Sequence, residues 1–306
     1  MVAKSNSLSE FSFISEISLE DWLKQDLGLS RSKIKEFHFK KNWLAKRTKN
    51  KETLTFPIDL LNDHLINPRF DGPEVKILYS ADDLMALSKP AGMHLFPLHY
   101  SETDTVLNFL RSQNFGRDIL QVEAHSHEKG ALFRLDHVTS GLMMFARTEA
   151  TYKEFRQNLE RQKYYLAIVH GHVQKNGRHR HFLSGLNKGG AKVKCSPDPS
   201  AASLEANIEI LPLAFREDLN LSLIGVLLGE GHRHQIRVQL ACIGHPILGD
   251  ILYGGKLEER VFLHAWTYVF GPRFFQDDTC PLFGKFFDLN SGLQVFSDHR
   301  GISQRR

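Results

Sequence analysis

One acid stands out for the company it keeps. In Arg134-Leu135-Asp136-His137-Val138-Thr139-Ser140-Gly141-Leu142, an apolar lead-in from Ala131 to Phe133 runs up to Asp136, and a second apolar run extends from Leu142 to Ala146. Apolar run, turn formers, apolar run: this order predicts strand, tight loop, strand. Gly141 allows a backbone path where a Cβ would clash. The loop therefore presents one carboxylate at a strand end, between Arg134 and His137. Such an acid either does chemistry or caps its own turn through the backbone, and the stretch alone favours the cap. Histidines spaced at i and i+2 are the other groups with chemical potential: His125/His127, His170/His172, His179/His181 and His232/His234. None has Asp, Glu or Cys at a convincing spacing, so they read as surface or structural residues and no metal set emerges.

The elements around these residues follow from patterning. Met1 to Ser15 reads as a loose tail. Ser18-Leu19-Glu20-Asp21 predicts a capping box that opens a helix burying Leu19, Trp22, Leu23 and Leu27, ended by Gly28. Ser30 caps a second helix, Arg31 to His38, with Ile34 and Phe37 on its apolar side. A polar link containing Asn67-Pro68 and Asp71-Gly72-Pro73 closes this unit. Strands are expected over Val75 to Tyr79 and Leu84 to Leu87, a helix over Thr103 to Ser112, a helix over Thr151 to Gln162 and a strand over Tyr164 to Gly171. His172 to Ala202 is polar and basic and reads as a hairpin excursion. Strands at Ala206 to Leu213 and Leu219 to Leu228 follow. The stretch from Gly231 opens a helix with Ile236, Leu240 and Ile243 inside, closed by Gly244. Domains are therefore expected at 16–70 and 71–300, with tails at 1–15 and 301–306.

Composition bounds the rest. The 306 residues suffice for one core plus a small appendage. No apolar run approaches the ~20 residues of a membrane span, and the polar start, Met1 to Glu10, lacks the apolar centre of a secretory signal. Cys195, Cys242 and Cys280 are far apart and odd in number, which argues against a disulfide framework or a cysteine-based zinc site and fits a reducing cytoplasm. The net charge is only +4, but it is unevenly placed: Arg31, Lys33, Lys35, Lys40, Lys41, Lys46, Arg47, Lys49 and Lys51 share their stretch with a single acid, Glu36. Such a block suits phosphate contact, or a solvated face. Lys175, Arg178, Arg180, Lys188, Lys192 and Lys194 could extend the same surface.

Several motifs resemble those of one family. RLDHVTSGLMMFART is similar to the RLD-x-x-TSGLLLFAK signature of the RluA-type pseudouridine synthases. Gln162 to Gly171 resembles their K-x-Y-x-A-x-V-x-G strand, Gly231 to Val238 their GRxHQIRVH motif, Ser88 to Met93 their NKPAG loop, and Ile243 to Gly254 their IGHPIxGDxxYG run. The motifs occur in order over about residues 75 to 270. Leu29 to Ile34 also resembles the LSRSxI core of a small α-L RNA-binding domain, diverged after Phe37. The resemblance implies an α+β fold: a mixed, largely antiparallel bisected sheet flanked by helices and loops, with a small N-terminal α-L-like RNA-binding domain.

The resemblance also implies roles. Asp136 falls on the catalytic residue, Tyr165 on the active-site tyrosine against which a flipped uracil stacks, and Arg237 on the arginine that pairs with the acid. Arg134 falls on the arginine that enters the RNA stack in place of the flipped base. Lys163 and Ile236 join the substrate set. Arg31, Lys33, Lys35, Lys40, Lys41 and Lys89 are the RNA-contact candidates, although for Lys89 bracing its loop is the preferred reading. Asp250 reads as a local cap. His137 and His232 stand where the family has basic residues and Phe133 where it often has His, changes that bear on substrate choice more than on the chemistry. The implied reaction isomerises uridine to pseudouridine in structured RNA, rRNA or tRNA. It needs no cofactor or metal, and Asp136 can attack the sugar, attack the uracil ring or act as a base on the ribose. A monomer is the expected state. Two other readings use the same residues: a catalytically silent RNA-binding protein on this fold, and a glycosidase or small-nucleoside enzyme, which would want a second catalytic carboxylate that these motifs lack.

Overall fold

A computed structural model describes residues 8–13, 16–25, 27, 29, 31–57, 66–98, 102–124, 126–157, 161–186, 192–201 and 203–290. The helix-ending role of Gly28, the capping role of Ser30, His125 and Lys188 lie outside the described residues. The chain divides into two compact units: residues 1–75, 93–131 and 146–149 form one, and residues 76–92, 132–145 and 150–306 the other.

The first unit starts with a strand where the sequence suggests a tail. β1 (Leu8–Ser12) pairs antiparallel with β2 (Thr53–Pro57). Phe11 and Phe13 explain why it orders: both are buried, in one aromatic cluster with Trp22 and Phe56, where Phe11 and Trp22 lie 4.5 Å apart. Between these strands run α1 (Leu19–Gln25), α2 (Arg31–Glu36) and α3 (Lys41–Leu44). The capping box forms as read, with Asp21 N donating to Ser18 Oγ at 3.1 Å and Ser18 Oγ donating to Asp21 Oδ2 at 2.6 Å. Leu19, Trp22, Leu23 and Leu27 are all buried, and Ile34 joins them. Further along, α4 (Val106–Ser112) is capped by Thr105, whose Oγ1 accepts from Asn108 N at 3.3 Å.

The second unit is built on a sheet of ten strands: β3 (Lys76–Ser80), β4 (Leu84–Lys89), β5 (Ser140–Ala146), β6 (Arg161–His170), β7 (Gly177–Ser184), β8 (Lys194–Ser196), β9 (Leu204–Arg216), β10 (Leu221–Leu228), β11 (Leu263–Phe270) and β12 (Arg273–Gln276). Their order is β3-β4-β5-β11-β6-β10-β9-β7-β8, with β12 pairing β11. β5 and β11 run parallel, whereas β6, β7, β9, β10 and β11 pair with their other neighbours antiparallel. α5 (Glu149–Gln157) and α6 (Gln235–Cys242) are the longer helices, and α6 buries Gln235 to Leu240. The mixed, mostly antiparallel sheet implied by the motif resemblance is present.

Two details depart from the sequence reading and one agrees with it. Ala131 to Phe133 is buried but is not a strand; its apolar character reflects burial rather than a pleat. The basic excursion agrees with that reading, as a hairpin of β7 and β8. β11 enters the middle of the sheet from a region without a clear motif, and every one of its residues is buried.

Candidate active site

The turn that carries Asp136 is fixed by backbone bonds. Thr139 N donates to Asp136 O at 3.0 Å and Gly92 N to His137 O at 2.8 Å. Lys89 Nζ donates to that same carbonyl at 3.2 Å and to Pro90 O at 2.8 Å. Lys89 thus braces the Asp136 loop, and with 0% exposure it cannot reach an RNA phosphate, which corrects its place among the RNA-contact candidates. Burial, aided by Arg260, pulls its ammonium down to about 7, with the Asp136 charge pulling the other way.

Behind the turn the two parallel strands almost touch. Gly141 has φ +117° in a position where a Cβ would lie 2.3 Å from Ala265 O, so only glycine fits. Ser140 Oγ lies 2.8 Å from His264 Nδ1 and accepts from Arg260 Nη2 at 2.6 Å, while His264 Nε2 lies 3.0 Å from Asp277 O. Burial holds His264 below the usual imidazole range. A neutral ring donating from Nε2 to the carbonyl accepts from Ser140 at Nδ1, which ties the start of β5 to β11.

Arg237 sits in the first turn of α6. Its Nε and Nη2 donate to Asp250 Oδ2 and Oδ1 at 2.7 and 2.9 Å, and Nη1 donates to Asp136 Oδ2 at 3.4 Å. The pairing with Asp136 expected from the motif exists, but the stronger partner is Asp250. The local cap expected of Asp250 is absent, because its side chain makes no capping bond. It is 1% exposed, and a carboxylate so buried requires a counter-charge. Tyr253 completes the support: its ring lies 5.2 Å from the Arg237 guanidinium carbon, and its hydroxyl accepts from Val193 N at 3.1 Å and lies 2.9 Å from His234 Nδ1. The motif alone makes Asp250 and Tyr253 turn residues. The signal for a larger role is nonetheless in the sequence: an acid inside an otherwise apolar run demands a cation, and Arg237 is a near one on a helix face.

Tyr165 lies on β6, 7% exposed, in one apolar cluster with Ile236. Burial and the nearby Asp136 charge push its phenol well above the ordinary value, so it stays neutral. Two residues earlier on the same side of the strand, Lys163 Nζ lies 4.8 Å from the Phe133 ring centroid and 5.8 Å from that of Tyr268; these rings stack at 4.7 Å. Burial, with Arg161 and Arg156, pulls Lys163 down to about 8. A Cβ on Gly231 would sit 3.4 Å from that ammonium, so the GHRHQIR stretch passes directly beside it. Phe133, where the family often has His, therefore seats this cation on an aromatic face. Asp136, Tyr165, Arg237, Lys163 and Ile236 belong to one unit, with Asp136 half-buried and Arg134 and His137 exposed.

In the other unit Arg31, Lys35, Lys40 and Lys41 are exposed, while the side chain of Lys33 lies outside the described residues. In the hairpin Lys175, Arg178, Arg180, Lys192 and Lys194 are exposed. Arg178 pairs with Glu209 at 3.3 Å and Arg180 with Glu205 at 3.9 Å. Among the described residues no helix is long and apolar enough to cross a membrane.

A mixed, mostly antiparallel sheet with a buried arginine reaching a half-buried aspartate beside a buried tyrosine defines a class of protein that comparison identifies. Residues 83–242 match the family model of RNA pseudouridylate synthase, and the chain belongs to that family. It is 30% identical over 198 residues to a tRNA pseudouridine synthase C of Yersinia pestis, covering 61% of this chain and 73% of the relative. It is 31% identical over 212 residues to a ribosomal large subunit pseudouridine synthase D of Nitrosomonas europaea, covering 63% and 56%. Against two further relatives, both uncharacterized RNA pseudouridine synthases, the aligned stretch spans 62% and 56% of their length, less than two thirds. Human RNA Pseudouridylate Synthase Domain Containing 1 has the same fold, with a TM-score of 0.51 at 19% identity over 67% of this chain and 82% of that one.

Proposed function

We propose that this protein isomerises specific uridines in structured RNA to pseudouridine, with Asp136 as the catalytic residue. The observation that carries the reading is the half-buried Asp136 carboxylate, 3.4 Å from a guanidinium that Asp250 already orients. The base is detached at its ring nitrogen, turns, and is rejoined to the sugar through carbon, with a proton moving from that carbon to the freed nitrogen. Nothing is oxidised. The protein contributes positioning and charge. Arg237 keeps a donor on the carboxylate, and the neutral Tyr165 ring offers a flipped uracil a stacking face. In this reading the exposed Arg134 fills the gap the uracil leaves, and the N-terminal basic residues hold phosphates. Residues 16–70 act as an RNA-binding appendage on a monomer working in the cytoplasm. Relatives are named as a tRNA and a ribosomal large subunit pseudouridine synthase, and an RNA of one of these classes is the substrate we infer.

The test is pseudouridine mapping of total RNA from cells with the protein, without it, and with Asp136→Ala. One or a few sites should disappear in both the deletion and the variant. No change in either, with salt-dependent RNA binding retained, would replace the enzyme with a silent RNA-binding protein.

A further inference from the structure

Three soft ligand atoms meet where the sequence keeps them apart. His181 is on β7, Cys195 on β8 and Cys242 ends α6; one ring nitrogen and the two sulfurs all lie within 4.8 Å of one another. The topology brings them together. β7 and β8 pair with Leu183 opposite Cys195, which places Cys195 on the face shared by Leu183 and His181. α6 packs on that face, with Gln239 Nε2 3.1 Å from His181 Nδ1 and 3.0 Å from Ala206 O. The Cys195 and Cys242 sulfurs thus lie within 4.8 Å of each other. Spacing along the chain hides this group, because each ligand comes from a different element.

We propose that His181, Cys195 and Cys242 form a binding site for a thiophilic divalent cation of the Zn2+ type, with its fourth tetrahedral position facing solvent at Cys242. Ligand distances of about 2.3 Å to sulfur and about 2.0 Å to nitrogen place tetrahedral ligand atoms roughly 3.7 Å apart. The group therefore needs to contract by no more than about 1 Å to hold the ion. The burial gradient suits this: His181 is buried, Cys195 half-buried and Cys242 exposed, giving a dry floor and an open entry. Both thiols give up their protons to buffer as the metal–sulfur bonds form. The bound ion staples the basic β7–β8 hairpin to the helix that carries Arg237. The site stands whether or not Asp136 turns over RNA.

The experiment titrates the reduced full-length protein with Co2+ and reads thiolate-to-cobalt charge transfer and the visible bands of a tetrahedral site. One Co2+ per chain should bind, Zn2+ should displace it, and Zn2+ should raise the melting temperature. Cys242→Ser, at an exposed position that leaves the fold intact, should bind Co2+ at least tenfold more weakly and lose the Zn2+-dependent shift. Absence of charge transfer in the unaltered protein, or equal binding by Cys242→Ser, would overturn the proposal and leave the cysteines as neighbouring thiols without an ion.

Discussion

Arg237 clasps Asp250 through two nearly parallel bonds of 2.7 and 2.9 Å. The remaining nitrogen, Nη1, reaches Asp136 at 3.4 Å. The fork is therefore oriented by a buried acid, so the donor facing Asp136 is held in place and does not need to reorganise. Asp136 is half-buried, so part of its carboxylate stays open beside that donor.

Removing Asp250 should be costly for a reason separate from catalysis. Asp250→Ala leaves the Arg237 charge, with a side chain 6% exposed, without its main partner. Breaking a buried pair in this way typically costs about 3–5 kcal/mol, whereas replacing both partners by apolar groups is often near neutral. Urea unfolding should show the single variant destabilised by about that much and Asp250→Ala/Arg237→Met recovering most of it. Pseudouridine formation should stay lost in both. A double variant no more stable than the single would contradict the buried-charge account.

Lys89 should make stability depend on pH on the alkaline side. Its ammonium titrates at about 7 in the fold against an ordinary 10.5, because it is buried. Between those values the unfolded chain holds a proton that the folded chain has released, so unfolding takes one up. Stability contributed by this group therefore rises as pH climbs from about 7 toward 10.5 and is flat, at its lowest, below 7. Lys89→Met removes the group while Lys163, displaced in the same direction, remains in both proteins. The difference in unfolding free energy between the two should change by a few kcal/mol across this range, at about 1.4 kcal/mol for each pH unit. Denaturant midpoints measured over a pH series decide it, and parallel curves would refute it.

Gly141→Ala should be far worse than Gly92→Ala. Both positions have positive φ, +117° and +79°, but a Cβ at Gly141 would meet Ala265 O at 2.3 Å and Ala265 N at 2.6 Å, while at Gly92 nothing lies within 4 Å. Gly92→Ala suffers only left-handed strain, about 1 kcal/mol. Gly141→Ala must also push β5 and β11 away from each other, for a total of roughly 2–5 kcal/mol. Thermal unfolding of the two variants side by side should show this order, and equal melting temperatures would remove the steric argument.

How much of this is legible in the sequence depends on the range of the signal. The capping box at Ser18, the buried face of α1 and the strand bearing Lys163 and Tyr165 are local patterns, and they read correctly. The tie between Asp136 and Arg237 comes through because both lie in motifs that resemble those of one family. Facts fixed by distant contacts do not come through. β1 reads as tail because five residues carry little periodicity, and only Trp22 and Phe56 explain its order. Bracing is the preferred role for Lys89 from its Pro and Gly neighbours, but the particular carbonyl it meets, 48 residues away, has no local sign. Asp250 reads as belonging to its own turn because its partner is reached through the fold.

The N-terminal basic residues make the last prediction. Arg31, Lys35, Lys40 and Lys41 are exposed. If they meet phosphates, each contact releases counterions, and binding should weaken with salt by about 0.7–0.9 in slope per contact on a log–log plot. Replacing all four with Gln should reduce the steepness of the salt dependence by up to about 3 and weaken binding most at low salt. Turnover at saturating RNA should not change, since none of the four belongs to the unit that holds Asp136. Filter binding over a series of salt concentrations, together with single-turnover rates, separates the outcomes. An unchanged slope would show that this block is a solvated face, and the phosphate grip would then have to come from the hairpin residues Lys175, Lys192 and Lys194.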